Sequence, residues 1–143
     1  MTTKSNIPSS VLFVCTLNSI RSPIAEGLLK QMVGTKSYVQ SCGLEAGELN
    51  ELMVSIMAEK KIDMSSHAAK TLDDLRDTNF DVVIAFTKEA KSAVQAVFDE
   101  LDTDIEHWPT PDPTAGDLNV RAMMDNYRAV RDTIAMRIQK KFG

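Results

Sequence analysis

The 143-residue chain has only two cysteines, Cys15 and Cys42. Two are too few for a disulfide framework or a closed zinc site, and they point to a reduced, intracellular setting. Long apolar runs are missing as well. No stretch reaches the roughly 18 residues that a membrane span needs. The apolar segment 11–14 is shorter than the roughly 7 residues of a signal-peptide core. The expectation is a cytoplasmic protein with no membrane partner. Basic clusters are also absent. The formal net charge is −4 and the Lys and Arg residues are dispersed, which argues against nucleic acid as a partner. Internal repeats, low-complexity tracts and linkers are lacking, and 43% apolar residues suffice for one core. The expected organisation is a flexible tail over 1–10 and a single domain over 11–143.

What is present is an alternation of two periodicities. "VLFVC", 11–15, is a continuous apolar run of the kind that forms a strand buried on both faces. Behind it, Ile24, Ala25, Leu28, Leu29, Met32 and Val33 recur at helical spacing until Gly34. Ser22 and Pro23 read as the cap and first turn of that helix. Further strands are predicted at 38–42, 81–86 and 105–108. Further helices carry Leu49, Leu52, Met53, Ile56 and Met57, then Ala90, Ala93, Val94, Val97 and Phe98 behind a Thr87 cap. The last carries Val120, Met123, Tyr127, Val130, Ile134 and Ile138. Thr71–Leu75 reads as one helical turn. The order βαβαβαβα predicts an α/β fold: a parallel sheet with helices on both faces and a ligand beyond the carboxyl ends of the strands.

The chemistry concentrates in "CTLNSIRS", 15–22. It holds no glycine, so it is neither a Walker loop nor a dinucleotide fingerprint. A loop running from a strand into a helix N-terminus still directs several N–H groups and the helix dipole at one point, which makes an anion cradle. Cys15 at its mouth would sit in a field that favours thiolate, the nucleophilic form. Arg21 offers a planar fork for two phosphate oxygens. Asn18 suits the left-handed dihedrals that a tight loop needs. Ser22 either caps the helix or donates to the sulfur. "PDP", 111–113, places Asp112 at the same sheet edge, with two prolines restricting its backbone. Partial desolvation there is expected to raise its pKa into the range of a general acid. The competing readings are a core cysteine beside a surface arginine, and a plain turn at "TPDP". His67 and His107 sit in no ligand-like cluster. Trp108 is expected to pack beneath the 109–115 loop, and Cys42 to be a core residue.

At these residues the chain resembles the low-molecular-weight protein tyrosine phosphatases. "VLFVCTLNSIRSPIAE" is similar to their nucleophile loop, whose usual pattern is Cys-x-Gly-Asn-x-Cys-Arg-Ser-Pro-x-Ala-Glu. "PDP" resembles their general-acid loop, and the likeness covers nearly all of 11–141. The resemblance implies a flavodoxin-like, three-layer α/β/α fold on a four-stranded parallel sheet. It implies Cys15 as nucleophile, Arg21 as phosphoryl clamp and Asp112 as general acid, then base. Thr16, Leu17, Asn18, Ser19, Ile20 and Ser22 complete the phosphate-binding loop. No metal or cofactor is implied. The implied partners are a phosphorylated protein or small molecule and inorganic phosphate, with the chain a monomer or weak homodimer. Departures from the pattern set further expectations. Leu17 replaces glycine and would be strained if its φ were positive, or would crowd the pocket. Ile20 replaces a second cysteine that could rescue an oxidised Cys15. Thr114 and Ala115 stand where an aromatic wall is usual. Lys61 replaces a helix-exit glycine. Arsenate reductases of this fold pass electrons to a cysteine pair after the third strand, which "TKEAKSAVQAVF" lacks. Arsenate reduction would therefore need an external thiol. A weakly catalytic phosphate-binding module is the third alternative.

Overall fold

The computed structural model describes residues 7–76, 79–98, 102–116 and 118–143. Four strands, β1 (Ser10–Cys15), β2 (Tyr38–Gly43), β3 (Val82–Ala85) and β4 (Asp104–His107), alternate with α1 (Arg21–Val33), α2 (Glu51–Ala58), α3 (Lys88–Phe98) and α4 (Val120–Phe142). All strand pairs are parallel, in the order β2-β1-β3-β4. β1 is central and buried along its whole length, which is why its sequence is an unbroken apolar run rather than an alternation. Phe13 and its face meet Ile24, Met53, Ile56, Tyr127 and Ile134 from α1, α2 and α4. Leu12 and Val14 face the other way, onto Val94 and Phe98 of α3. The result is the expected three-layer α/β/α sandwich.

Details at the element ends depart from the periodicity. β1 begins at Ser10, and Ile7 packs against the core. Residues 1–6 of the tail lie outside the described residues. Val120 only opens α4 and is 68% exposed, so it does not join the buried face. That face runs Tyr127, Val130, Arg131, Ile134, Ile138 and Phe142. The buried guanidinium of Arg131 is satisfied by the Ile56 carbonyl and by Glu59, tying α4 to the end of α2. Hydrogen bonds from Arg128 and Arg131 hold the Glu59 carboxyl down at about 2. Asn50 and Asn119 cap α2 and α4, and Thr87 accepts from the Ala90 N–H at the start of α3.

The exit from α2 carries the lysine that stands in place of glycine. Ile62 N–H reaches the Met57 carbonyl and Lys61 N–H the Ala58 carbonyl, the paired bonds of a Schellman motif. Lys61 occupies its left-handed position with φ 62°, a conformation that costs a side-chain-bearing residue about 1 kcal/mol relative to glycine. Lys61→Gly is expected to raise unfolding stability by about 1 kcal/mol, read from the urea midpoint at unchanged slope. An unchanged or lower midpoint would show that the lysine side chain offsets the strain.

The topology also fixes where a ligand can enter. From β1 the chain moves to β2 on one side, then crosses to β3 on the other. The carboxyl ends of β1 and β3 therefore flank a switch-point crevice, the usual ligand position in such sheets. Cys15 is the last residue of β1.

Candidate active site

Residues 15–20 leave the sheet as a tight loop whose carbonyls are held from outside. Cys15, Thr16 and Leu17 carbonyls accept from Leu44, Glu45 and Gly47 N–H groups at 3.2, 2.9 and 2.8 Å. The Asn18 carbonyl accepts from His67 Nε2–H at 2.9 Å. Trans peptides set each following N–H opposite its carbonyl. The amides of Thr16, Leu17, Asn18 and Ser19 are therefore turned away from those partners. α1 begins at Arg21 with Ile20 at its N-cap and no side-chain cap. The predicted Ser22 cap is thus corrected: Ser22 lies inside the first turn, and its hydroxyl serves the sulfur instead. Pro23 remains compatible, because the third helical N–H has no intrahelical acceptor.

Asn18 is the centre of this loop. It is fully buried with φ 54°, the left-handed position anticipated for it. Its Nδ2 donates to Ser22 Oγ and to Ser41 Oγ, each at 2.9 Å, and its Oδ1 accepts from Lys70 N–H at 3.0 Å. Ser41 in turn donates to Glu26, which pairs with Lys30 at 2.6 Å. On the other side Ser22 Oγ lies 2.9 Å from Cys15 Sγ. Every polar atom of the Asn18 side chain is used, so the loop is rigid before any ligand arrives. Ser41, Glu26 and His67 belong to this network; sequence reasoning misses Ser41 and Glu26 and sets His67 aside. Their bonds span from 15 to 49 residues, counting Glu26–Ser41 and His67–Asn18, and no local periodicity marks such bonds.

A cavity of about 390 Å³ opens over the loop, lined by Cys15, Thr16, Leu17, Ser19, Ile20 and Arg21. Glu48, Leu49, Asn50, Asp112 and Thr114 complete its wall. The structure therefore brings the nucleophile candidate, the arginine and the carboxylic acid into one space. Cys15 is 2% exposed, at the bottom. Arg21 is anchored by a 2.9 Å hydrogen bond from one terminal nitrogen to the Thr110 carbonyl. Trp108 is buried against Phe13 and Phe86. A larger cavity of about 590 Å³ lies behind the loop, between α1 and residues 61–70. No cysteine is among its lining residues, and it meets the support of the 15–20 loop through Glu26, His67 and Lys70.

Three expectations change on this geometry. Among the described residues, only Asn18 and Lys61 are non-glycine residues with positive φ, so Leu17 carries no left-handed strain. Its side chain is 46% exposed and lines the rim. Leu49 precedes α2 and is 39% exposed at the same rim, rather than belonging to the helix core. For Asp112, partial burial does push the carboxyl up, as anticipated. The hydroxyl and N–H of Thr114 and the charge of Arg21 outweigh it, so the group is held below the usual carboxylate range.

Cys42 is fully buried in the α3-side core, whereas Cys15 belongs to the opposite core. Burial pushes the Cys42 thiol up to about 12. Among the described residues, no group of three or more His, Cys, Asp or Glu side chains is arranged to hold a metal ion. No described helix is long and apolar enough to cross a membrane.

Comparison with known proteins agrees with the geometry. An arsenate reductase of Bacillus subtilis is 32% identical over 130 residues, 91% of this chain and 92% of that protein. A glutaredoxin arsenate reductase of Synechocystis is 30% identical over 134 residues, 90% of this chain and 92% of that one. A tyrosine phosphatase from Erwinia amylovora shares the fold with a TM-score of 0.76 at 24% identity, covering 94% of this chain and 91% of that one. The model of the low molecular weight phosphotyrosine protein phosphatases matches residues 10–142. With the sheet order, the cysteine–arginine loop and this match in place, the chain belongs to the low molecular weight phosphotyrosine protein phosphatase family.

Proposed function

We propose that the chain hydrolyses phosphomonoesters through a phosphocysteine intermediate. The observation that carries the reading is the shared cavity lined by Cys15, Arg21 and Asp112 above the loop amides. In the first step Cys15 Sγ attacks phosphorus, the bond to the ester oxygen breaks, and Asp112, in the fraction of molecules where it is protonated, gives that oxygen its proton. Ser22 donates its hydroxyl hydrogen to the sulfur while it is anionic. Arg21 and the loop amides hold the equatorial oxygens, where charge accumulates. In the second step the Asp112 carboxylate takes a proton from water, the water oxygen attacks phosphorus, and the S–P bond breaks to release phosphate.

Among the described residues the cavity has no aromatic lining residue; Leu17, Ile20 and Leu49 supply its apolar surface. The substrate class is thus a phosphomonoester held chiefly by its phosphate, either phosphotyrosine on a protein or a small phosphorylated molecule. Rapid mixing with p-nitrophenyl phosphate tests the reading. The expected result is a burst of one nitrophenolate per chain, with phosphate on the Cys15 peptide of acid-quenched protein.

A second reading, arsenate reduction, draws on the names of the relatives at 32% and 30% identity. Arsenate would esterify Cys15 with loss of water. An external thiol and Cys15 would then supply two electrons, leaving arsenite and a mixed disulfide on Cys15, which a second external thiol reduces. Arsenate-dependent consumption of glutathione, without a nitrophenolate burst, would favour this chemistry instead.

A further inference from the structure

Asp112 is held by a residue two places along its own loop. Thr114 donates its N–H to Asp112 Oδ1 at 2.9 Å and its hydroxyl to the same oxygen at 2.6 Å. The Ala115 N–H closes the turn on the Asp112 carbonyl at 3.2 Å. Pro113 between them is buried and has no N–H to offer. Two donors therefore converge on Oδ1, while Oδ2 has no hydrogen-bond partner among the described residues. Thr114 lines the same cavity as Cys15 and Arg21.

We propose that Thr114 is a positioning residue for the general acid: it fixes Oδ1 of Asp112 and leaves Oδ2 as the oxygen that carries the proton to the leaving group. The inference rests on the phosphatase reading. As the P–O bond breaks and the S–P bond forms, the Oδ2 proton passes to the ester oxygen and negative charge spreads onto Oδ1. The Thr114 hydroxyl strengthens its bond to Oδ1 at that moment, so it stabilises the transition state more than the protonated ground state. The other ionisable groups facing Asp112 are Cys15 at the end of β1, Arg21 at the start of α1 and Glu48 in the loop before α2. Tyr127 of α4 is near enough to sense its charge. Arg21 and the two Thr114 donors act in the same direction on the carboxyl, and removing the hydroxyl weakens that set.

The test compares kcat/KM for p-nitrophenyl phosphate, a good leaving group, with that for an alkyl phosphate, which requires the acid. Both are measured across pH on wild type, Thr114→Val, Thr114→Ser and Asp112→Asn. Valine keeps the shape and the backbone N–H but removes the hydroxyl. On the acid plateau, Thr114→Val is expected to lose about tenfold on the alkyl ester, the rate equivalent of one hydrogen bond to a charged group. The loss on the aryl ester is expected to be less than about threefold, since that leaving group needs little protonation. The falling limb on the alkaline side is expected to move to higher pH, because the acid must be protonated and its carboxylate has lost a donor. Thr114→Ser is expected to retain the wild-type ratio and limb. A valine variant with wild-type leaving-group ratio and limb overturns the role of Thr114, provided Asp112→Asn abolishes alkyl ester turnover. If Asp112→Asn leaves the alkyl ester rate intact, the acid assignment itself fails and the Thr114 proposal with it. A loss of equal size on both esters, with proper folding by circular dichroism, assigns Thr114 a merely structural part and also overturns it.

Discussion

Cys15→Ser is expected to lower kcat/KM for p-nitrophenyl phosphate at least about a thousandfold, a loss of at least about 4 kcal/mol of transition-state stabilisation. The serine hydroxyl would stand where the sulfur does, at the floor of the same cup. Its difficulty is activation. The only hydrogen-bond partner of Cys15 Sγ among the described residues is the Ser22 hydroxyl, which can donate one proton but is no base. No carboxylate or imidazole among the described residues is bonded there to take the serine proton. A thiol needs far less help, because it is intrinsically a much better nucleophile than a hydroxyl. The binding side should survive: the carbonyls around the loop are held by Leu44, Glu45, Gly47 and His67, none of which depends on sulfur. Inorganic phosphate should still raise the melting temperature of the variant. Equal rates for wild type and variant would remove Cys15 from the mechanism. Loss of phosphate binding would move the defect from chemistry to folding of the loop.

Gly43→Ala is expected to cost about a hundredfold in activity from a residue with no reactive group. A Cβ at Gly43 would lie 2.6 Å from the Glu45 carbonyl oxygen, 2.7 Å from the Asn18 nitrogen and 2.8 Å from the Thr16 oxygen. All three are backbone atoms, so no flexible side chain can yield. Either the 44–47 segment or the loop itself must move. Gly43 also pairs with Cys15 in the β1–β2 register and donates to the Lys70 carbonyl, which blocks retreat of the strand. Overpacking of this kind typically costs about 1–3 kcal/mol of stability. A displacement of about 1 Å in the amides around the anion costs about a hundredfold in rate. The measurement is a paired one: urea unfolding for stability and kcat/KM for activity, both relative to wild type. An alanine variant with full activity would mean that the loop tolerates displacement, and that the tight anchoring of its carbonyls is not what shapes the cup.

The fold is legible in the simplest element of the sequence. An apolar run buried on both faces belongs at the middle of a covered parallel sheet, and 11–15 is such a run. Helices are legible where one face is buried, as in Ala90, Val94 and Phe98. Periodicity overextends them where an apolar residue lies elsewhere: Leu49 lines the cavity and Val120 merely opens a helix. In the site, Cys15, Arg21 and Asp112 are legible because each has a distinctive chemistry at an element boundary. The Asn18 dihedral is legible because few residues tolerate it. The direction of the Asp112 shift is not, since burial and hydrogen bonding oppose each other there and only coordinates tell which wins. The support from Ser41, Glu26 and His67 is illegible for a different reason: the bonds cross from one element to another, and no spacing along the chain encodes them.

The two thiols lie on opposite faces of one sheet, Cys15 in the cavity wall and Cys42 in the core, and this has a consequence for life under peroxide. A sulfenic acid formed on Cys15 finds no thiol partner within its own molecule, since Ile20 offers no sulfur and the Cys42 side chain is sealed into the other layer. Recovery must then be second order, its rate rising in proportion to the concentration of whatever small thiol the surroundings provide. The molecule carries no memory of its own for repair, and its activity after an oxidative episode becomes a readout of the reducing capacity around it.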